Sequence, residues 1–375
     1  MVERKIDALV VCSNENIYYA SGFYLEGYRG AMAWSLMPQF LVLPREDLGA
    51  PTLIVNNCVF ELAKRMSWVE DVRTYVTGSF LERSKEIKDY ASTPIDAVTM
   101  LLKELNIANG NIGIEEDRIS ADIFLKIRNR LKLANLVEAS DILKNMRLIK
   151  SEEEINRIKK AVEISEKGFL AARRAIESGA SELEIMKAFM ETAIKEGAYG
   201  FVQINMGSGS RSSDPISFPS DYKPRKGDFI RMDFGVKYKW YCSDIARCAA
   251  VGEVPAKFKK MYYALLNAQR KAIKMIKPGI KMSEIFKVGI KTAKVSGHFG
   301  EYARTNIGHH IGLELEEDPF IRPDVEMTLE PNMVLCVELP YYITGLVGMN
   351  IEDVVLVTED GCEELSNIDR ELWEV

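Results

Sequence analysis

The sequence predicts an α+β protein of two domains, a smaller α/β layer domain followed by a duplicated domain in which helices cover one antiparallel sheet. Three observations predict it. Short β-branched runs alternate with helical stretches over roughly the first 145 residues. A strong helix-start signal then follows residue 148, and beyond it the order of elements runs twice. The chain has 375 residues, 47% apolar and 28% charged, the composition of a globular protein long enough for two domains.

The first domain, 1–147, is expected to place strands at 8–11, 40–43, 52–55 and 111–114, with an aromatic-rich loop at 22–30. At the boundary, Ser151-Glu152-Glu153-Glu154 reads as a capping box: Ser151 caps the new helix while Glu154 reaches back. In the second domain, 148–375, a helical pair (152–178 and 181–196) precedes strands, and a second pair (256–276 and 283–295) precedes more strands. Each half ends in a hairpin-like stretch that bears acids. The segment Met206-Gly-Ser-Gly-Ser210 lacks the following Gly-Lys-Ser/Thr of a phosphate loop and reads as a turn. The Lys-rich stretch 271–281 reads as the solvated end of a helix stopped by Pro278-Gly279.

A formal net charge of -6 argues against a nucleic-acid partner, because phosphate binding relies on clustered Lys and Arg. Small peptides or small molecules are the expected ligands. The apolar run 8–12 is too short for a signal sequence and nothing reaches membrane-spanning length, so a cytoplasmic protein is expected. The six cysteines (Cys12, Cys58, Cys242, Cys248, Cys336, Cys362) have no CxxC pairing and read as small buried hydrophobes. With only His298, His309 and His310, any imidazole chemistry must use one of these three.

Two β-like runs around a polar turn at 237–239 would set Asp233 opposite Asp244. Pairing about Gly345 would set Glu338 opposite Glu352. Like charges opposed on a sheet repel, and two carboxylates that close cannot both stay ionised without compensation. Two such pairs therefore call for cations. Oxygen-rich ligation with one imidazole suits Mn, Co, Fe or Zn, and four carboxylates carry charge enough for two ions. The imidazole is expected from Ile307-Gly308-His309-His310-Ile311-Gly312, where the glycines permit close backbone approach to a ligand.

These residues resemble the pita-bread metallopeptidase family, in its prolidase, aminopeptidase P and creatinase branch. Four motifs match in order: Met232-Asp233-Phe-Gly235 with Ser243-Asp244-Ile-Ala-Arg247; Gly308-His309; Glu330-Pro-Asn-Met333 leading to Val337-Glu338; and Ile351-Glu352-Asp353 with Thr358-Glu-Asp-Gly361. The resemblance implies a creatinase-like N-terminal domain, a pita-bread C-terminal domain and a homodimer. It also implies that Asp244 and Glu352 bridge two divalent metals, that Asp233 holds one, and that His309 with Glu338 holds the other. A water between the metals would be the nucleophile, and Glu338 would carry its proton to the leaving nitrogen.

The sequence departs from that branch around the metals. By spacing, the branch's noncoordinating histidines fall on Ile216, Thr305 and Glu316, and the Arg that usually precedes Ile-Glu-Asp is Asn350. In the family these groups bind substrate and stabilise the tetrahedral intermediate. His310, Arg211, Tyr222 and Tyr342 are the donors the sequence offers instead. The leading expectation is a metal-dependent hydrolase of a C–N bond, Xaa-Pro dipeptidase-like, with weak or altered peptidase activity. Two alternatives keep the fold: a creatinase-like amidohydrolase or lyase acting on a small molecule, and a noncatalytic binding module.

Overall fold

The computed structural model describes residues 1–25, 38–76, 89–300 and 302–375, so the expected loop at 22–30 lies partly outside the described residues. The chain divides into two compact units, Met1–Arg147 and Leu148–Val375.

In the first unit a six-stranded mixed sheet runs in the order β4-β3-β2-β1-β5-β6. Its strands are β1 (Ala8–Val11), β2 (Phe40–Pro44), β3 (Thr52–Asn56), β4 (Asp71–Tyr75), β5 (Asn111–Ile114) and β6 (Asn135–Glu138). Strands β4 and β6 were not among those expected, because Asp71–Tyr75 and Asn135–Glu138 lack the β-branched run that marks the others. The helices are α1 (Asn14–Ser21), α2 (Phe60–Met66), α3 (Pro94–Glu104), α4 (Ala121–Arg130) and α5 (Ser140–Leu148). Successive side chains of a strand point to opposite faces. Accordingly Val10, Val42 and Ile54 join one core with Leu101 of α3 and Ile127 of α4. Leu9, Val11, Leu41, Leu53 and Val55 join a second with Ile17 of α1 and Ala63 of α2. Helices thus cover both faces, as an α/β layer domain requires.

The second unit opens with α6 (Glu152–Glu177), where the Ser151/Glu154 capping box is formed, and α7 (Glu182–Lys195), which carries a second capping box at Ser181/Glu184. Strands β7 (Gly200–Ser208), β8 (Phe229–Tyr238), β9 (Tyr241–Cys242) and β10 (Ile245–Ala250) follow. Next come α8 (Ala256–Ile273), α9 (Met282–Val295), β11 (Gly308–His310) and β12 (Val334–Glu338). The unit ends with β13 (Tyr341–Ile343), β14 (Val347–Met349), β15 (Glu352–Val357), β16 (Cys362–Glu364) and β17 (Trp373–Glu374).

The main sheet runs β11-β12-β15-β10-β8-β7 and is antiparallel along this path. Each half contributes a helical pair and then an outer, a middle and an inner strand, and the inner strands β10 and β15 meet through Ala246 and Glu352. Both helical pairs pack on one face of the sheet. On one side Phe234 stacks with Phe169 of α6 and tilts against Phe189 of α7. On the other, Gln269 of α8 donates to Val337 O and to Asp353 Oδ2. The neighbours in sequence of Phe234, Val337 and Asp353 are Asp233, Glu338 and Glu352, which therefore point to the face without helices. No helix among the described residues is long and apolar enough to cross a membrane.

Candidate metal centre

Five adjacent strands each bring one candidate ligand to the helix-free face: His309 on β11, Glu338 on β12, Glu352 on β15, Asp244 just before β10, and Asp233 on β8. Glu338 lies directly across from Glu352, as pairing about Gly345 requires. The first hairpin differs from expectation. Its turn falls at Lys239 and Trp240, both with positive φ (45° and 74°), as a two-residue hairpin turn demands. Tyr238 therefore pairs with Tyr241, and Asp233 faces Ala246 rather than Asp244. Moving the register by two residues keeps Asp244 on the same face, diagonal to Asp233.

Asp244 follows a local pinch in the ladder. Ser243 N donates to Val236 O at 3.0 Å, and Val236 N donates to the Ser243 hydroxyl at 3.1 Å. A Cβ on Gly235 would stand 2.3 Å from Ser243 O, so this approach needs glycine. Gly308 has a related role: at φ +145° its missing Cβ would lie 2.0 Å from Cys336 O. The expected close approach beside His309 is thus made to β12, an unforeseen use of that glycine.

Asp233, Asp244, His309 and Glu352 are buried, and Glu338 is partly exposed. His309 Nε2 lies 3.5 Å from Glu352 Oε1 and 3.8 Å from Asp244 Oδ2, electrostatic contacts longer than an ordinary hydrogen bond. Its Nδ1 donates to His310 O at 2.9 Å, since a carbonyl only accepts; this fixes the ring with Nε2 toward the acids. Single donor atoms of Asp244, His309, Glu352 and Cys336 all lie within 4.8 Å of one another. Asp244 Oδ1 and Glu352 Oε1 have no hydrogen-bond partner among the described residues. Buried unpartnered carboxylate oxygens beside an aimed imidazole fit a cation.

The electrostatics of the metal-free cluster agree. Burial, reinforced by Glu338 and Asp233, lifts Glu352 to about 8 against the pull of His309. Burial lifts Asp233 to about 6, with Arg231 opposing and Glu338 adding. Burial and then Glu352 raise Asp244 well above the carboxylate range. Burial disfavours the His309 cation, but Glu352 and Glu338 outweigh it and lift the imidazole to about 9. Both partners of the His309–Glu352 contact rise because one imidazolium is shared among several buried acids. The cluster retains protons that a divalent cation would displace.

Around the acids, the Gln203 amide donates to Asp233 Oδ1, and the Asn350 amide reaches Asp233 Oδ2 at 3.4 Å and Glu352 Oε2 at 3.5 Å. The wholly buried Arg231 holds Ser212 O, Asn205 Oδ1 and Asp214 O, with Nη1 4.0 Å from Asp233 Oδ2. Arg304 donates to Glu338 Oε1 at 3.0 Å.

Ile216, Thr305 and Glu316 are exposed. Of the four donors the sequence offers, three are committed elsewhere. Arg211 donates to Phe218 O, Tyr222 donates to Asp228 Oδ2, and the buried His310 ring, turned to the face opposite His309, donates to Pro319 O. Tyr342 alone adjoins the cluster, its ring 5.5 Å from the Arg231 guanidinium. Sequence reading missed Gln203, Arg231, Arg304 and Cys336. Alternation offered a signal for two of them, since Arg231 and Cys336 stand two residues before Asp233 and Glu338. Gln203 and Arg304 come from other segments and carried none.

A carboxylate and imidazole cluster on the open face of a duplicated, helix-backed sheet defines the class as a metal-dependent hydrolase. The model of metallopeptidase family M24 matches residues 156–359, and that of the creatinase/prolidase N-terminal domain matches residues 1–149. The chain belongs to metallopeptidase family M24, on its prolidase branch, and has that branch's creatinase-like N-terminal and pita-bread C-terminal domains. It is 30% identical over 374 residues to a Xaa-Pro dipeptidase of Pyrococcus horikoshii, covering 99% of this chain and 96% of that one. Similar solved structures include the prolidase from Pyrococcus horikoshii OT3 (TM-score 0.84, 29% identity, 99% and 97% of the two chains). The X-Pro aminopeptidase from Thermotoga maritima MSB8 is another (TM-score 0.80, 30% identity, 100% and 99%). Membership of M24 implies divalent metal ions, which the donor set fits.

Proposed function

We propose that the chain is a two-metal hydrolase of a C–N bond, Xaa-Pro dipeptidase-like, with Asp233, Asp244, His309, Glu338 and Glu352 as ligands. The observation that carries this reading is the delivery of one ligand from each of five neighbouring strands to one face, with buried carboxylate oxygens left unpartnered. The relatives' names, Xaa-Pro dipeptidase and prolidase, support a dipeptide or small amide as substrate.

Bound divalent ions would polarise the scissile carbonyl and lower the pKa of the attacking water. The protein's own groups do the rest. Glu338, the most exposed of the acids, takes the proton from that water and delivers it to the leaving nitrogen. Gln203 and Asn350 hold Asp233 in one orientation, and His310 O fixes the His309 ring. Burial keeps the Tyr342 phenol protonated, so it remains a hydrogen-bond donor beside the site.

Losing one preorganised donor to the developing oxyanion slows a reaction by about 10²- to 10³-fold. With Ile216, Thr305 and Glu316 at the histidine positions, cleavage of ordinary Xaa-Pro dipeptides is expected to be slow. This departure favours, as a second reading, a small-molecule amide substrate on the same centre. The test is metal content together with hydrolysis of a Xaa-Pro panel after adding Mn, Co or Zn. Close to two metal equivalents with slow cleavage is expected. Brisk cleavage would show that the substitutions are compensated, and a protein that retains no metal would overturn the reading. The homodimer rests on the resemblance to the prolidase branch and is measured by light scattering, whereas the cytoplasmic location rests on the sequence reading of residues 8–12 and the lack of a membrane-spanning run.

A further inference from the structure

We infer that Cys336 is itself a ligand of this centre, its thiolate joining Asp244, His309 and Glu352 around one cation. The inference rests on the metal-binding reading above and adds a sulfur donor to it. Cys336 is directly across the ladder from His309, and stands two residues before Glu338 on the same face of β12. It is completely buried, and its Sγ belongs to the set of four donor atoms within 4.8 Å of one another. Asp244 and Glu352 in that set, 3% and 2% exposed, each have an unpartnered oxygen.

The other cysteines of this unit differ. Cys242, Cys248 and Cys362 place their thiols on Leu313 O, Asn350 O and Ile273 O, at 3.6, 3.3 and 3.6 Å. Among the described residues Cys336 has no such hydrogen bond. The three are thiols satisfied by the backbone, whereas Cys336 turns its sulfur toward two carboxylates and an imidazole.

One sulfur, one nitrogen and two oxygens suit zinc or another borderline-soft ion such as Co(II), which can expand to a fifth position for Glu338 or the water. As the ion binds, the S–H bond breaks, the sulfur keeps the electron pair and donates it to the metal, and the proton leaves to solvent. A thiolate shifts selectivity from the hard Mn ion toward zinc and cobalt. The sequence reading treated Cys336 as packing because no second cysteine accompanies it. Its partners come from β11, β15 and the residue just before β10.

X-ray absorption of the zinc-loaded full chain tests the assignment without a variant. A sulfur scatterer at about 2.3 Å beside nitrogen and oxygen scatterers is expected. Co(II) loading should give a near-ultraviolet sulfur-to-cobalt charge-transfer band. Cys336→Ser should abolish both signals and reduce the preference for zinc over manganese by about tenfold or more. Cys362→Ser should keep both signals. Stoichiometric metal surrounded only by nitrogen and oxygen would overturn the sulfur ligand and leave the metal centre standing. Failure to retain zinc or cobalt at all would overturn both.

Discussion

Exchanging Glu352 for glutamine should make the metal-free protein more stable while removing its ability to be stabilised by metal. Glu352 is lifted from 4.5 to about 8 when no cation is present. Between those values the folded chain binds more protons than the unfolded chain, so stability falls as pH rises. His309, lifted from 6.5 to about 9, acts with the same sign: its contribution is complete below 6.5 and lost as pH passes through 9. Asp233, lifted from 3.8 to about 6, loses stability over the lower part of that window. At about 1.4 kcal/mol per pH unit, an isolated Glu352 would cost the metal-free fold on the order of 3 kcal/mol at pH 7. Sharing protons with Asp244 and His309 reduces this, so a gain of about 1–3 kcal/mol is expected for Glu352→Gln. Glutamine keeps the shape and can still accept from Asn350. The assay is urea unfolding in EDTA from pH 5 to 9, repeated with zinc or manganese. The variant should be the more stable in EDTA near neutral pH, show a flatter pH slope, and gain little from metal. A variant less stable than the parent throughout, with the slope unchanged, would refute the account of the cluster as a set of self-repelling acids held for a cation.

Arg247→Met removes hydrogen bonds to the Ala246, Glu352, Ile368 and Asp369 carbonyls and to the Asp353 carboxylate. Breaking a buried pair typically costs about 3–5 kcal/mol, measured as a lower urea midpoint; a loss below about 1 kcal/mol would contradict it. Gly235→Ala sets a Cβ 2.3 Å from Ser243 O and 2.7 Å from a Val202 methyl. It should destabilise by about 1–3 kcal/mol or more and weaken metal binding in calorimetric titration, since Asp244 follows Ser243 directly. Ser151→Ala opens the capping box of α6 and should cost about 1 kcal/mol in thermal unfolding, with little effect on metal affinity.

Much of this was legible because local rules and the fold agree. The Ser151 and Ser181 helix starts, the alternation in β1, β2 and β3, and the opposition of Glu338 to Glu352 follow from capping chemistry, the strand period and a turn centred on Gly345. The first hairpin went astray because Lys239 and Trp240 take positive φ without being glycine or asparagine, so the turn had no sequence marker. Placing it one residue early moved the pairing by two. The surroundings of the acids were least legible. Gln203 reaches Asp233 across the β7–β8 ladder, and Arg304 reaches Glu338 from the segment before β11. Such contacts depend on long-range register, which no local pattern encodes.

The inner strands of the larger sheet meet at the Ala246–Glu352 pair, and the candidate ligands are divided across that seam. Asp233 and Asp244 arrive with the earlier half, while His309, Glu338 and Glu352 arrive with the later one. Neither hairpin can assemble the set alone, so on the proposed reading cation capture waits for a contact between distant parts of the chain, among the slowest to form in folding. Once bound, the ion would act as a cross-link through the middle of the domain. At a hundredfold excess over its dissociation constant it would favour the closed seam by about 2.7 kcal/mol. On the proposed reading, metal supply would bear on how readily the sheet closes as well as on catalysis.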